Sequence, residues 1–479
     1  MSEIIERFET ICAEMKNTEA VIYRDRMNIK RKTFSELHDD VWKMAAYLSQ
    51  CGVRQGDRIL AFALSSYHLS VFMLAALHTG ASIMYVDIFA KQASLQSVFE
   101  RYHPHFVLVS NQTKHLRWFF GSIRTVRKIL NIDGFTDFQA DEWTPRSIPE
   151  DQTALLTMTT GSTGIPKIVL RSHRDLMQQL QLIHRNITAG TNEIVLTTSY
   201  IYVFANILSG FTTVMPLLNL GRYSPKRINR ILKLFRNERI SMLITSPDFC
   251  LKAEPVFPQL RMLYFGGAIL NRYEAEMIRK KFHDCRCHVI YGATECNLIA
   301  VADLDDMLEV LETDHRALLG KPVDGVQVRL TDDGEILVAS EALLENYVSD
   351  SDTSKIVDEN GILWHRTNDY AGYHGSFLYY KGKGGNSIDV NSVRIFSNII
   401  EQEIIAQFPS IPKCAVFMKS ESVYVVVQGR LKPSQKDGIE TIMRSFGVTS
   451  WKLRMLRKIP CDVKHHTKIN YQKLREKTW

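Results

Sequence analysis

A run of glycine, serine and threonine at positions 157–167 is the part of the sequence best suited to bind phosphate. It reads T-M-T-T-G-S-T-G-I-P-K and follows the apolar residues 154–156. Glycines let backbone N–H groups approach phosphate oxygens, and hydroxyl groups add donors. The run lacks the G-x-x-x-x-G-K-[ST] pattern of a Walker A loop, so a different phosphate loop is predicted. Lys167 supplies a cation, and the other residues expected to contact phosphate are Thr159, Thr160, Gly161, Ser162, Thr163 and Gly164.

Four further stretches follow this loop: 264–268 (Y-F-G-G-A), 291–295 (Y-G-A-T-E), 364–369 (W-H-R-T-N-D) and 460–474. Together with the loop they resemble, in the same order, the motifs of the adenylate-forming superfamily. That superfamily comprises acyl-CoA synthetases, peptide-synthetase adenylation domains and luciferases. The resemblance implies an enzyme that joins a carboxylic acid to AMP, releases pyrophosphate and passes the acyl group onward.

The resemblance also implies a role for each matched residue. Tyr291 offers a ring on which adenine stacks, and Asp369 accepts hydrogen bonds from the ribose hydroxyls. Glu295 and Thr160 are the implied Mg²⁺ ligands. The implied catalytic residues are Lys468, Glu295 and Lys167. Nucleotide contacts besides the loop are implied for Gly266, Gly267, Ala268, Tyr291, Gly292, Ala293, Thr294, Asp369 and Lys383.

The sequence departs from the superfamily pattern at several positions. The T-G-D motif reads T-N-D at 367–369, and the G-R pair before the hinge reads G-K at 382–383, where a point charge replaces a fork of donors. Residues 392–396 lack the glycine and glutamate of the strand that helps to form the pantetheine tunnel in acyl-CoA synthetases. The usual glycine beside the terminal lysine is Thr467. Adenylation is therefore better supported than transfer to CoA.

An apolar segment at 195–216 is expected to form the wall of a pocket for the acid. Tyr202 stands where superfamily members often carry histidine, and Phe204, Ala205 and Gly267 complete the expected pocket. The alternative is that such side chains only fill the core, which we expect for about half of the segment. His173, shortly after the phosphate loop, is expected to cap a helix.

Strands and helices must alternate to position these groups, and the sequence has that pattern. Strand-like apolar runs at 59–64 and 82–86 flank a helical pattern at 70–78, and further runs occur at 106–109, 240–245, 262–264 and 288–291. This rhythm predicts an α/β protein with parallel sheets covered by helices. The resemblance implies the adenylate-forming enzyme fold, with a large N-terminal domain of layered sheets and helices and a small, mobile α/β C-terminal domain.

The glycine-rich run at 381–386 is the predicted domain boundary. Residues 1–383 are expected to hold ATP and the acid. Residues 384–479 are expected to form a lid that carries the catalytic lysine. Gly384 and Gly385 are the predicted hinge.

Composition limits the class of protein. The chain has 479 residues, 45% of them hydrophobic, and a net charge of +7, as expected for a globular protein of two or more domains. Lys and Arg concentrate at 444–479, which we interpret as a solvated face, so no nucleic-acid partner is expected. Apolar stretches at 70–90 and 195–220 contain polar residues and are predicted to be buried rather than to span a membrane.

The cysteines and the N-terminus favour a cytoplasmic protein. Eight cysteines show no regular framework, as expected for reduced thiols. Two histidines and two cysteines at 283–288 suggest zinc, but their spacing favours an ordinary strand edge. The first residues lack the pattern of a signal peptide.

Three functional hypotheses remain. The first is an acid–thiol ligase, with a small-molecule carboxylic acid as substrate and CoA or a carrier-protein thiol as acceptor. The second is a β-lactone synthetase acting on a 3-hydroxy acid, because 195–216, 243–247 and 290–300 resemble that branch. The third is a degenerate nucleotide-binding protein without activity.

Overall fold

The computed structural model describes most of the chain, and its residues form two compact units. The described residues are 2–63, 66–86, 99–111, 113, 126–136, 138, 143–159, 167–187, 190, 193–218, 223–313, 316–344, 354–390, 393–461 and 468–477, without the side chains of 158, 159 and 167. The first unit comprises Met1–Leu217, Thr294–Asn297 and Glu341–Thr353. The second comprises Leu218–Ala293, Leu298–Ser340 and Ser354–Trp479.

The first unit combines two sheets with helices. Its strands are β1 (Glu19–Asp25), β2 (Asn28–Thr33), β3 (Arg58–Phe62), β4 (Ser82–Tyr85), β5 (Phe106–Val109), β6 (Lys128–Asn131), β7 (Thr153–Thr159), β8 (Lys167–Ser172), β9 (Ile194–Thr197) and β10 (Thr212–Met215). Its helices are α1 (Glu3–Glu14), α2 (Phe34–Gln50), α3 (Tyr67–Thr79), α4 (His173–Asn186) and α5 (Tyr200–Leu208), with a 3-10 turn at Ile132–Phe135.

Most strands of this unit are parallel. The six-stranded sheet has the order β6-β5-β3-β4-β7-β8, and β8 alone in it runs antiparallel to its neighbour. In the other sheet β9, β10 and β1 are parallel and β2 is antiparallel to β1. Helix α3, which connects β3 to β4, is buried at every position except His68. A helix enclosed on all sides has an apolar sequence without being a membrane span.

The second unit begins after residue 217. Its strands are β11 (Met242–Thr245), β12 (Met262–Gly266), β13 (Arg286–Tyr291), β14 (Ala300–Asp303), β15 (Leu318–Pro322), β16 (Gln327–Leu330), β17 (Glu335–Ala339), β18 (Lys355–Val357), β19 (Leu363–His374), β20 (Phe377–Lys383), β21 (Ser387–Val390), β22 (Val393–Phe396), β23 (Cys414–Lys419), β24 (Ser422–Gln428) and β25 (Trp451–Leu456). Its helices are α6 (Pro225–Leu232), α7 (Pro247–Lys252), α8 (Arg272–Lys281), α9 (Leu304–Thr313), α10 (Ser397–Gln407), α11 (Pro433–Ser445) and α12 (Tyr471–Arg475), with a 3-10 turn at Lys233–Phe235.

A large mixed sheet organises this unit. Its strands have the order β16-β17-β19-β20-β15-β14-β13-β12-β11, and β18 pairs with β19. Strands β11 to β13 are parallel, while β14, β15 and β20 continue the sheet in antiparallel pairs. The carboxyl ends of β12 and β13 therefore lie at one edge, which is where ligands of α/β sheets usually bind.

The C-terminal residues build smaller sheets with their own apolar core. Strands β21 and β22 form a hairpin, and β23, β24 and β25 form a three-stranded sheet. Buried Ile400 and Ile404 of α10 lie in one cluster with Val416 and Val425. The predicted boundary between 383 and 384 falls between β20 and β21, inside the second unit, and stays a prediction.

The predicted pattern of elements matches the observed one closely. The expected strands at 106–109, 262–264 and 288–291 correspond to β5, β12 and β13, and the helical pattern at 70–78 lies within α3. The apolar segment 195–216 is divided into β9, α5 and β10. No helix in the described parts of the chain is long and apolar enough to cross a membrane.

A carboxylate network fastens α1 to its neighbours in the first unit. Glu9 accepts hydrogen bonds from Trp42 Nε1 (3.0 Å) and contacts His38 Nε2 (2.7 Å) and His78 Nε2 (2.9 Å). Burial opposes ionisation of Glu9, but these bonds hold the pKa of its carboxyl well below its usual range. The bond to Glu9 raises the pKa of His38, with a smaller contribution from Asp39.

We expect Glu9→Gln to destabilise the first unit by about 1–2 kcal/mol. The lowered Glu9 pKa stabilises the fold above pH 4.5, and this contribution is lost as the pH falls through the folded-state pKa. The raised His38 pKa stabilises it below pH 6.5, and that contribution is lost as the pH rises through the folded-state pKa. The thermal midpoint of Glu9→Gln should therefore fall furthest below that of the wild type between pH 4.5 and 6.5. Glu14→Gln, at an exposed position of α1, is the control, and equal shifts in both variants would contradict the assignment.

Candidate functional site

Two glycine-containing turns meet at the carboxyl edge of β12 and β13. Gly266 pairs in register with Ile290, and a Cβ at Gly266 would overlap the Ile290 carbonyl oxygen. Only glycine permits this approach, which places Gly267 and Ala268 beside the turn that follows Tyr291. The expected adenine-binding residues are thus brought together in the second unit.

The Asp369 carboxylate joins two other predicted residues. Tyr291 donates its hydroxyl to Asp369 Oδ2 (3.1 Å), and Lys383 Nζ lies 3.0 Å from Asp369 Oδ1. The three residues belong to β13, β19 and β20. Tyr291 is buried, and this burial, followed by the charge of Asp369, raises the pKa of its phenol well above the usual value. The ring is therefore a neutral aromatic surface with its hydroxyl fixed.

A bulge in β19 aims Asp369 at this position. The pairing of β19 with β17 shifts register between Leu337 and Glu335, opposite residues 366–370. Asn368 within this stretch has φ +57°, and its N–H donates to the buried carboxylate of Glu335 (3.1 Å). Asparagine is among the few residues other than glycine that adopt this conformation readily. The change from T-G-D to T-N-D therefore preserves the local backbone.

Asn368 also contacts the predicted hinge. The Gly384 N–H donates to the Asn368 carbonyl (2.9 Å), and a Cβ at Gly384 would overlap Asn368 Oδ1. Nothing lies within 4 Å of a Cβ at Gly385. The two hinge glycines therefore have different reasons to be glycine, and only Gly384 is constrained by space.

The ends of the phosphate loop are anchored in the first unit. Thr159 and Lys167 pair across the β7–β8 hairpin. The predicted phosphate contacts Thr160, Gly161, Ser162, Thr163 and Gly164 lie outside the described residues, as do the side chains of Thr159 and Lys167.

A buried arginine that the sequence reasoning missed joins this hairpin to Thr294 in the same unit. Arg171 on β8 donates from Nη1 to Thr157 Oγ1 (2.7 Å), from Nη2 to the Thr294 carbonyl (2.6 Å) and from Nε to Gln179 Oε1 (2.8 Å). Only 3% of its surface is exposed. The guanidinium therefore places a fixed positive charge at the base of the predicted phosphate loop. The sequence signal that could have identified Arg171 is a charged residue within an otherwise apolar strand.

Gln179 completes the support of the segment that contains Glu295. Its amide nitrogen donates to the carbonyls of Glu295 (3.3 Å) and Ala342 (3.2 Å), and its oxygen accepts from Asn297 (2.7 Å). Leu344 N–H donates to the same Glu295 carbonyl (2.9 Å). The backbone of the predicted metal ligand is thus fixed while its side chain stays partly exposed.

The side chains near Glu295 can be compared with the ligands that Mg²⁺ usually takes. No group of three or more His, Cys, Asp or Glu side chains among the described residues is arranged to hold a metal. Mg²⁺ in nucleotide sites commonly takes one or two carboxylates together with phosphate oxygens and water. One partly exposed carboxylate on a fixed backbone fits that requirement.

The predicted acid-pocket residues lie on α5 in the first unit, except Gly267. Phe204 and Ala205 are each 4% exposed, and burial raises the pKa of Tyr202. Neighbouring Tyr200 accepts a hydrogen bond from Ser66 N–H (2.9 Å). This helix presents a largely apolar surface with phenol groups.

The expected role of His173 was wrong. Ser172 is the N-cap of α4 and forms a capping box with Asp175. His173 is the first helical residue, and its Nδ1 lies 2.8 Å from Ser2 Oγ. It is fully buried, which lowers the pKa of its imidazole to about 4.

Lys468 lies near the end of the chain and is exposed. Its neighbour Ile469 forms a β-bridge with Cys461, and Asn470 N–H donates to the Pro460 carbonyl (2.9 Å). The predicted catalytic lysine therefore projects from a short, structured segment of the second unit.

Comparison with known proteins identifies the family. A family model described as AMP-binding enzyme matches residues 8–348. The chain belongs to the AMP-binding enzyme family. The predicted adenylate-forming superfamily is thereby confirmed.

Known proteins similar to this AMP-binding enzyme differ in their stated acceptors. D-alanine–D-alanyl carrier protein ligase from Staphylococcus aureus is 22% identical over 422 residues, which cover 84% of this chain and 82% of the relative. The o-succinylbenzoate CoA synthetase from Bacillus subtilis with its acyl-adenylate intermediate has a TM-score of 0.82 at 17% identity, over 98% of both chains. The same synthetase is also known with ATP and magnesium, at a TM-score of 0.80 and 18% identity, over 97% of this chain and 98% of that one.

An amide bond synthetase from Marinactinospora thermotolerans has a TM-score of 0.82 at 18% identity, over 98% of this chain and 99% of that one. At such identities, structural likeness shows a shared fold. The α/β adenylate-forming fold predicted for this AMP-binding enzyme is confirmed.

We expect Gly384→Ala to weaken nucleotide binding at least about tenfold, because the new methyl group displaces Asn368 and with it Asp369. Gly385→Ala is the matched control, since space is open there. The double variant Gly384→Ala/Asn368→Gly should recover binding. Fluorescent-nucleotide titration measures all four proteins, and equal affinities of the two alanine variants would contradict the contact.

Proposed function

We propose that this chain activates a carboxylic acid as acyl-AMP, releases pyrophosphate and transfers the acyl group to a thiol, with CoA as the favoured acceptor. The observation that carries the proposal is the convergence of Tyr291 and Lys383 on Asp369 at the carboxyl edge of β12 and β13. Family membership supports it independently.

The Asp369 carboxylate retains capacity to bind ribose. A carboxylate has about four lone-pair sites, and Tyr291 and Lys383 use one on each oxygen. The remaining sites can accept both ribose hydroxyls. The Tyr291 ring, held by the same bond, supplies a face for adenine, and the exposed Gly267 and Gly292 leave room for the base.

Buried hydrogen bonds fix the base of the predicted phosphate loop. Arg171 stabilises the end of the loop and the Thr294 carbonyl through one buried guanidinium. Glu295 and Thr160 would hold Mg²⁺, which would neutralise charge on the β- and γ-phosphates. Lys167 would add a cation at the end of the loop.

The acid's carboxylate attacks the α-phosphorus of ATP, the P–O bond to the β-phosphate breaks, and pyrophosphate leaves. Negative charge grows on the α-phosphate oxygens during this step, so a cation placed there lowers the barrier. We assign that cation to Lys468. The apolar surface of α5, with Tyr202, Phe204 and Ala205, would accommodate the acid's hydrocarbon part.

The acceptor is the least determined part of the reaction. Phe396 on β22 stands where the resemblance implies glutamate, and it packs against the Tyr370 ring (centroids 4.6 Å apart). An apolar residue at this strand favours β-lactone formation as the second candidate, since an intramolecular hydroxyl attack on acyl-AMP needs no thiol tunnel.

The eight free thiols favour a reducing compartment such as the cytoplasm.

Pyrophosphate release from MgATP across a panel of carboxylic acids, with and without CoA, tests the proposal. We expect release to depend on one class of acid and to be accelerated by CoA, with an acyl-CoA product. Release with 3-hydroxy acids alone and no need for thiol would support β-lactone formation. ATP binding without release for any acid would favour the inactive nucleotide-binding protein and overturn the proposal.

We expect Lys468→Ala to lower the adenylation rate by at least about 100-fold while leaving the Kd for ATP nearly unchanged, because the lysine acts on charge that grows in the transition state. Lys473→Ala is the control, since Lys473 is an exposed cation five positions along the chain. Single-turnover formation of acyl-AMP gives the rate. Undiminished adenylation in the first variant would remove Lys468 from catalysis.

A further inference from the structure

A buried carboxylate lies behind the segment that carries Lys468. Glu401 on α10 is 4% exposed, and both of its oxygens lie 2.8 Å from the hydroxyl of Tyr471. Glu401 Oε1 also accepts the N–H of Val416 on β23 (2.6 Å). The phenol and one backbone amide thus converge on a single buried acid.

Tyr471 follows Lys468 by three positions and begins α12. Between them, Ile469 forms the bridge to Cys461, and Asn470 caps α12 by accepting Lys473 N–H (2.9 Å). Tyr471 and Ile469 pack against the apolar cluster that contains Phe417 and Leu474. The Tyr471 hydroxyl is therefore a polar contact that ties this segment to α10.

Among the described residues, the titratable or charged groups that interact with Glu401 include Lys413, Cys414, Tyr380 and Tyr471. Burial raises the pKa of Glu401 to about 7, although the bonds from Val416 and Tyr471 and the charge of Lys413 act in the opposite direction. Burial also raises the pKa of Tyr471 well above its usual value. Near neutral pH, Glu401 therefore titrates while Tyr471 remains a hydrogen-bond donor.

We propose that Glu401 is a positioning residue for catalysis, which in its ionised form holds Tyr471 and thereby orients the Lys468 segment for adenylation. The catalytic part rests on the proposed function. An ionised carboxylate accepts from Tyr471 and Val416 together. A protonated one becomes a donor at one oxygen, so a single oxygen is left to accept from both Tyr471 and Val416, and the hold on the phenol weakens in a buried site.

Stability and activity should respond to Glu401 in opposite directions. Because the folded-state pKa is raised from 4.5 to about 7, the stabilising contribution of Glu401 is complete below pH 4.5 and is lost as the pH rises through about 7. Adenylation should increase over the same upper range as the ionised form accumulates. A purely structural role would make the two quantities change together.

The pH dependence of kcat for adenylation tests the proposal in the full-length protein. We expect a limb that rises with a midpoint near pH 7 in the wild type and is absent from Glu401→Gln. Tyr471→Phe removes a donor to the carboxylate, so its midpoint should move upward and its kcat at pH 7 should fall about 10- to 100-fold. Glu403→Gln on the same helix is partly exposed and should match the wild type.

Hydrogen–deuterium exchange at residues 468–477, without substrates and corrected for intrinsic rates, tests the anchor separately. At pH 8 we expect exchange about five- to tenfold faster in Tyr471→Phe than in Glu403→Gln, which corresponds to the loss of one hydrogen bond. Equal exchange in Tyr471→Phe and Glu403→Gln would overturn the anchor. Because this comparison does not use Glu401→Gln, the test stays valid if Glu401→Gln fails to fold.

The two proposals fail in distinguishable ways. Adenylation that requires Lys468 but has the same pH limb in all variants would overturn the role of Glu401 and leave the proposed function standing. Absence of adenylation by the wild type with every acid would overturn the proposed function and the catalytic role of Glu401 together, even if exchange showed the anchor.

Discussion

The convergence of β13, β19 and β20 on the Asp369 carboxylate is the constraint on which the candidate nucleotide site depends. Tyr291 and Lys383 come from the first and last of these strands and bind different oxygens of the same group. The arrangement requires β12 and β13 to pack closely, which Gly266 permits. It also requires the bulge in β19, because a regular strand would direct the side chain at 369 differently.

Local backbone conformation and tertiary contact are coupled at Asn368. Its left-handed conformation lets the chain enter the bulge, and its side chain fills the space beside Gly384. The same residue therefore influences the orientation of Asp369 and the shape of the predicted hinge. Asparagine accomplishes this because its short polar side chain tolerates positive φ and can accept hydrogen bonds.

Within each unit, buried polar residues hold the backbone or side chains of neighbouring predicted site residues. Arg171 and Gln179 hold the backbone around Thr294 and Glu295, and Glu401 holds Tyr471 near Lys468. Burying such groups is costly unless their hydrogen bonds are satisfied, so their geometry is tightly restrained. Residues outside the predicted site can thus fix the positions of the predicted site residues.

The sequence by itself determined the family, the α/β class and the positions of several strands, because glycine turns and apolar periodicity are local properties of the chain. The sequence predicts strand β5 to the residue, and it predicts Tyr291, Asp369 and Lys383 as nucleotide contacts. The assignments of the individual site residues and of the boundary at 383/384 remain predictions.

Only the tertiary structure showed that Tyr291 and Lys383 share Asp369, that Arg171 reaches Thr294, that Ser172 rather than His173 caps α4, and that Glu401 meets Tyr471. Apart from the cap, these contacts join residues from 14 to 123 positions apart. Side-chain partners over such separations depend on strand order and burial, and a linear pattern of residue types does not encode them locally.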